Sequence, residues 1–322
     1  MYERFYGLRE LPFDLTPNPK YLYLTAKHRE ALSNLQYGIA KRRGITLLIG
    51  EAGTGKTTLV QTVLASDAFR GAFCVYVNNP SLTRDEFVEF LARAFGLSSH
   101  ACLSKTALLL ELEPLLRDRC ERGIVTALLI DEAQVMPIEL LEEVRLLANI
   151  ETATDKLLPV VLAGQPQLAE KLNDPALRQL KQRVALRCDL QPLDLSDTAA
   201  YIAGRVRIAG GDGSRLFTRE AVELIHLCSR GIPRTIGVIC DNALVTGFAS
   251  DQRPVGWQIV RSVCEDFDLK LPGWQPPESA RRPGAAPPAA APGSVADADG
   301  RFALAGEPMF SLFTRRRRFS FF

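Results

Sequence analysis

Residues 50–58 read Gly50-Glu51-Ala52-Gly53-Thr54-Gly55-Lys56-Thr57-Thr58, directly after the apolar run 45–49. Gly50, Gly55, Lys56 and Thr57 fit the spacing G-x-x-x-x-G-K-[ST]. In that pattern a buried strand hands the chain to a turn open only to small residues, and backbone N–H groups converge on phosphate oxygens. A helix beginning at Lys56 adds the positive end of its dipole. The chemistry expected of this loop is nucleoside triphosphate binding. Residues Gly50 through Thr58 hold ATP, Lys56 reaches the β- and γ-phosphates, and the Thr57 hydroxyl holds Mg2+.

Hydrolysis needs a carboxylate on the metal side and a group that activates water. Ala127-Leu128-Leu129-Ile130-Asp131-Glu132 supplies both at the end of an apolar run. Asp131 is expected in the Mg2+ shell and Glu132 on the attacking water. The next apolar run ends Ala163-Gly164-Gln165-Pro166. Gln165 is a candidate for the γ-phosphate or the water, with a helix-capping or turn role equally open. Arg178, Lys181, Arg183 and Arg187 follow. An arginine here can complete a neighbouring subunit's site and stabilise transition-state charge; Arg183 and Arg187 both fit. In Ser229-Arg230-Gly231-Ile232-Pro233-Arg234, a helix starting at Pro233 aims Arg234 back toward the nucleotide.

The elements that must position these groups are legible as apolar periodicity. Strand-like runs fall at 45–49, 73–77, 125–130, 157–163 and 185–190, with helical patterns at 56–65, 84–95, 106–122 and 138–149 between them. That alternation predicts an α/β fold, a parallel sheet with helices on both faces. After Pro192 only helical patterns recur, at 197–209, 218–229, 233–250 and 256–267, with Ser196 and Thr218 as expected N-caps. The division expected is an aromatic arm and helix over 1–41, a nucleotide-binding domain over 42–191, a helical lid over 192–269, and a disordered tail over 270–322. That tail is Pro/Ala-rich and ends with Arg315 to Arg318 between phenylalanines. It reads as a plain disordered end or as a docking peptide for an acidic partner or an anionic membrane surface.

Composition narrows the classes. With 322 residues and 47% apolar content the chain can bury more than one core, and its net charge of +2 argues neither for nor against nucleic acid. No apolar run approaches the ~20 residues of a membrane span. Seven scattered cysteines and three dispersed histidines predict reduced thiols in the cytoplasm, with neither a disulfide framework nor a zinc site.

The ordered set of phosphate loop, Asp131-Glu132, polar strand tip, trailing arginines and a helical segment carrying Gly231-Ile232-Pro233-Arg234 resembles the AAA+ ATPases. A closer resemblance begins earlier in the chain. Tyr6-Gly7-Leu8-Arg9-Glu10-Leu11-Pro12-Phe13, Leu15-Thr16-Pro17-Asn18-Pro19, Tyr23-Leu24, His28-Arg29-Glu30-Ala31-Leu32 and Tyr37-Gly38-Ile39 look like the ATPase domain of the general secretion pathway protein A family. Asp131-Glu132-Ala133-Gln134, Arg145 through Thr152 and Gly164-Gln165-Pro166 continue it, over roughly residues 1–267. Relatives of that family include ATPases of type IV pilus and exopolysaccharide export loci. The resemblance implies a P-loop sheet of AAA+ type followed by a small helical lid. It also implies a homo-oligomer formed with nucleotide, partners among envelope export or secretion components, and a cytoplasmic place, with peripheral attachment at the inner membrane as an option. It puts the N-terminal arm near the adenine through Tyr23, Leu24 and His28, unless these merely pack on the core. Secretion proteins of this kind usually continue into a transmembrane helix and a periplasmic peptidoglycan-binding domain, which residues 268–322 do not offer. A nucleic-acid-handling ATPase of the transposition-regulator kind, using basic residues between Lys171 and Arg187, is the main alternative. A slow ATP-dependent regulatory switch is another.

Overall fold

The computed structural model describes residues 1–14, 19–78, 80–270, 273 and 275. Its elements, in chain order, are α1 (Tyr2–Tyr6), α2 (Ala26–Ala40), β1 (Ile45–Gly50), α3 (Lys56–Ala65), β2 (Phe73–Val77), α4 (Arg84–Phe95), α5 (Lys105–Glu121) and β3 (Thr126–Ile130). Then come α6 (Ile138–Leu147), β4 (Val160–Gly164), α7 (Pro166–Lys171), α8 (Arg178–Gln182), β5 (Val184–Leu190) and α9 (Leu195–Ile208). The last four are α10 (Gly213–Leu216), α11 (Arg219–Ser229), α12 (Pro233–Ala249) and α13 (Trp257–Asp266). They divide into two units, one holding the described part of residues 16–192 with Ile232–Arg234, the other the remainder.

The first unit is a five-stranded parallel sheet in the order β2-β3-β4-β1-β5. β1, β3 and β4 are buried along their whole length, as expected for strands covered on both faces. Ile45, Leu47 and Ile49 point to one face and join Phe87, Leu91, Leu112, Leu140 and Leu168 from the helices there. Leu48, Leu129 and Val161 point to the other and meet Leu35 of α2 with Leu59 and Val63 of α3. The run expected as a strand from 157 pairs only from Val160, because Pro159 has no N–H to give the ladder. Leu157 and Leu158 are buried without being strand. β5 is an edge strand with Ala185, Arg187 and Asp189 exposed. Parallel strands bring the C-terminal ends of β1, β3 and β4 to one edge, where open α/β sheets bind ligands.

The second unit is helical. Residues 1–14 belong to it, so the stretch expected as one N-terminal segment, 1–41, is shared between the two units. The Tyr2 hydroxyl bonds Asp241 and the Tyr6 hydroxyl donates to the Gln252 carbonyl at 3.2 Å. Arg9 N donates to the Ala209 carbonyl at 2.7 Å, and Arg205 Nε to the Pro12 carbonyl at 2.5 Å. The α9 cap is Asp194, whose side chain accepts from Asp197 N at 2.7 Å, and not Ser196, which lies inside the helix. Asp194 wins because its side chain stands three residues before the orphan N–H it must reach. Thr218 caps α11, accepting from Ala221 N at 3.2 Å. All seven cysteines are free. Among the described residues no helix is long and apolar enough to cross a membrane. The segment 15–18 and the proposed tail with Arg315 to Arg318 lie outside the described residues.

Candidate nucleotide site

The loop after β1 has the backbone its glycines allow. Gly53 and Gly55 take φ of 82° and 100°, in the left-handed region where a side chain is strained. Thr54 is buried, and its hydroxyl donates to the Glu51 carbonyl at 2.8 Å, closing the turn. Gly55 is the N-cap of α3 and offers no side chain, so the first N–H groups of the helix are left for a ligand. Lys56 is buried, with Nζ donating to the carbonyls of Gly50 at 2.8 Å and Glu51 at 3.0 Å. Burial holds its pKa below the usual lysine range, against the opposing pull of Glu132, Asp131 and Glu51. Glu51 and Ala52 are exposed on the loop, and Thr58 lies in the first turn of α3.

Across from the loop, β3 delivers the acids. Thr57 Oγ1 donates to Asp131 Oδ2 at 2.6 Å, and the Tyr76 hydroxyl donates to the same oxygen at 3.1 Å. Burial, then Asp131, pushes the Tyr76 phenol up, so it stays a donor. Glu132 follows with φ of 52° and accepts from Gln134 Nε2 at 2.5 Å and Gln165 Nε2 at 3.3 Å. Gln165 is therefore brought to the acid pair while also standing as the N-cap residue of α7, where it makes no side-chain capping bond. Arg234 reaches the loop too: its N–H donates to the Gly53 carbonyl at 3.2 Å.

Other expected residues are placed elsewhere. Both ring nitrogens of His28 are engaged, Nδ1 with Thr25 Oγ1 at 2.7 Å and Nε2 with the Thr54 carbonyl at 3.0 Å. It ties α2 to the phosphate loop, leaving no ring nitrogen for an adenine. Leu24 packs on the α2/α3 side of the core. Arg183 directly precedes β5 and so lies at the opposite end of β1 from the loop, roughly 17 Å away at ~3.3 Å per residue. Arg187 faces Leu47 in the register and forks onto Asp189, with Nη2 to Oδ1 at 2.9 Å. Neither arginine meets its own chain's loop. Lys171, a candidate phosphate contact in the nucleic-acid reading, instead donates to the carbonyls of Gln134 at 2.6 Å and Met136 at 2.8 Å.

Tyr76 and Lys171 were absent from the sequence reading of the acid site, and Gln134 entered only as part of a resemblance. Tyr76 and Gln134 carry one signal, a polar side chain within four residues of a strand's C-terminal end, whereas Lys171 closes α7 and carries none. An open cavity of about 980 Å3 at the other edge of the sheet also escaped it, lined by Lys41, Arg42, Arg43, Lys156 and Arg183 with Asp155 as its one acid.

Residues 39–172 match the AAA domain family. The chain carries the AAA+ ATPase fold. It is 42% identical over 253 residues to General secretion pathway protein A of Aeromonas hydrophila, which covers 77% of this chain and 45% of that protein. The chain thus spans less than half the length of this curated relative. Two solved structures share the AAA+ fold at 17% identity. The Aeropyrum pernix ORC2 protein (ADPNP-ADP complexes) aligns with a TM-score of 0.59 over 79% of this chain and 71% of its own. Cdc6p from Pyrobaculum aerophilum aligns at 0.58 over 76% and 68%.

Proposed function

We propose that this chain is an ATPase that binds ATP with Mg2+, works as an oligomer, and serves a bacterial envelope export or secretion system from the cytoplasmic side. The observation that carries the enzymatic part is the convergence of Lys56, the Thr57–Asp131 pair and Glu132 at one edge of the sheet. The loop N–H groups and Lys56 bind the triphosphate, displacing the loop carbonyls Lys56 now contacts. Thr57 and Asp131 offer hard oxygen donors, the set that suits Mg2+. When bound, that ion neutralises charge on the β- and γ-phosphates. Glu132 takes the proton of the attacking water, and Gln165 orients that water or the γ-phosphate.

Arg183 is the better of the two finger arginines. Arg187 is neutralised by Asp189, and Lys156 by Glu151, whereas Arg183 lines the basic cavity with Lys41, Arg42 and Arg43. Like charges so placed favour an anion between them, here the terminal phosphates on a second copy. The role in envelope export rests on the secretion-pathway relative and its name.

The test is nucleotide binding and phosphate release by purified variants. Lys56→Ala should lose nucleotide binding, while Glu132→Gln should bind ATP and fail to turn it over. Undiminished phosphate release by Glu132→Gln overturns the reading.

A further inference from the structure

We infer that Gln134 is a positioning residue for the hydrolytic step, fixing one oxygen of the Glu132 carboxylate so that the other is presented to the attacking water. This rests on Glu132 acting as the base. The chain leaves β3 and turns sharply, with Glu132 itself left-handed at φ 52°, ψ 35°, a conformation that costs a residue with a side chain. A short 3-10 turn over Ala133–Val135 then brings Gln134 back on Glu132. Its Nε2 donates to Glu132 Oε2 at 2.5 Å while its Oε1 accepts from Gln165 N at 3.1 Å. An uncharged amide can accept at one end and donate at the other in this way. Gln165 Nε2 adds a second, longer bond to the same Oε2, at 3.3 Å.

The glutamine is itself clamped. Lys171 Nζ holds its carbonyl at 2.6 Å and, two residues on, that of Met136 at 2.8 Å. Gly164, at the end of β4, leaves the space its amide occupies: a Cβ there would lie 3.0 Å from Gln134 Oε1 and 2.7 Å from Leu168 Cδ2. Both amides address Oε2, and among the described residues no hydrogen bond occupies Oε1, which is left for the water. In the step itself, the water oxygen bonds to the γ-phosphorus and its proton passes to Oε1. The bond from that phosphorus to the β–γ bridging oxygen breaks, and ADP leaves with it.

The experiment compares Gln134→Leu with the parent chain, reading kcat, ATP affinity and thermal unfolding. The variant is expected to lower kcat by about 10- to 100-fold, the usual cost of a misplaced reacting group, with ATP affinity within about twofold and the unfolding temperature close to the parent's. Full kcat in Gln134→Leu, or a parallel loss of ATP affinity, overturns the inference. Glu132→Gln run alongside separates the two failures. If it still turns over, the base assignment is wrong; if it is dead while Gln134→Leu is fully active, only the positioning role is wrong.

Discussion

Thr57 and Asp131 are separated by 74 positions and meet at 2.6 Å, with the Tyr76 hydroxyl on the same carboxylate oxygen. Two neutral donors on one oxygen hold the acid in a fixed orientation without cancelling its charge, which suits a group that must accept a cation. The consequence is testable at the level of one hydroxyl. Thr57→Val keeps the shape and removes the donor, and should raise the Mg2+ concentration for half-maximal turnover by ~10-fold or more. Thr57→Ser should restore the parent value. A magnesium titration in which the valine and serine variants coincide would remove Thr57 from the metal site.

At the scale of elements, the site exists because three parallel strands end at one edge and α3 starts there. Neighbouring elements add to the loop's own bonds. His28 from α2 anchors its Thr54 carbonyl, and Arg234 N anchors that of Gly53. In the helical unit a different histidine has a measurable effect. His226 of α11 bonds Thr198 of α9 through Nδ1 at 2.9 Å, and burial lowers its pKa below the usual 6.5, against the pull of Asp194. The unfolded chain then binds a proton that the folded chain refuses, so stability is full above about pH 6.5 and falls as pH drops toward the lowered folded value. Thermal unfolding followed from pH 7.5 to 5 should show this loss in the parent chain. A His226→Gln variant should show a shallower slope over the same range, and an unchanged slope would place the acid sensitivity elsewhere.

At the scale of the whole molecule, the sheet unit carries complementary ends. The phosphate loop and acid pair occupy one edge of the sheet, and the basic cavity with Arg183 occupies the other. A contact of one end with the other end of a second copy is heterologous, and such contacts build rings or open helices. If Arg183 works across that contact, Arg183→Ala and Lys56→Ala should each be inactive alone, and mixing them should recover part of the parent ATPase rate. Arg187→Ala should remain active, its charge being spent on Asp189. A mixture no more active than its components would rule out the arrangement.

The sequence by itself determined the α/β class, the parallel sheet, the phosphate loop and the Asp131-Glu132 step, because each is written in contiguous residues whose spacing has one physical solution. Short apolar runs that alternate with helical patterns read as buried strands, and a Gly-rich turn between such a strand and a helix exposes its N–H groups. Only tertiary structure decided which oxygens Gln134, Gln165 and Tyr76 address. It also decided that His28 is spent on the loop, that Arg187 is paired with Asp189 while Arg183 lines the basic cavity, and that residues 1–14 join the helical unit. Those outcomes hang on strand order, register and helix packing. A hydrogen bond is made or lost over less than 1 Å, a distance that sequence spacing does not carry between elements far apart in the chain.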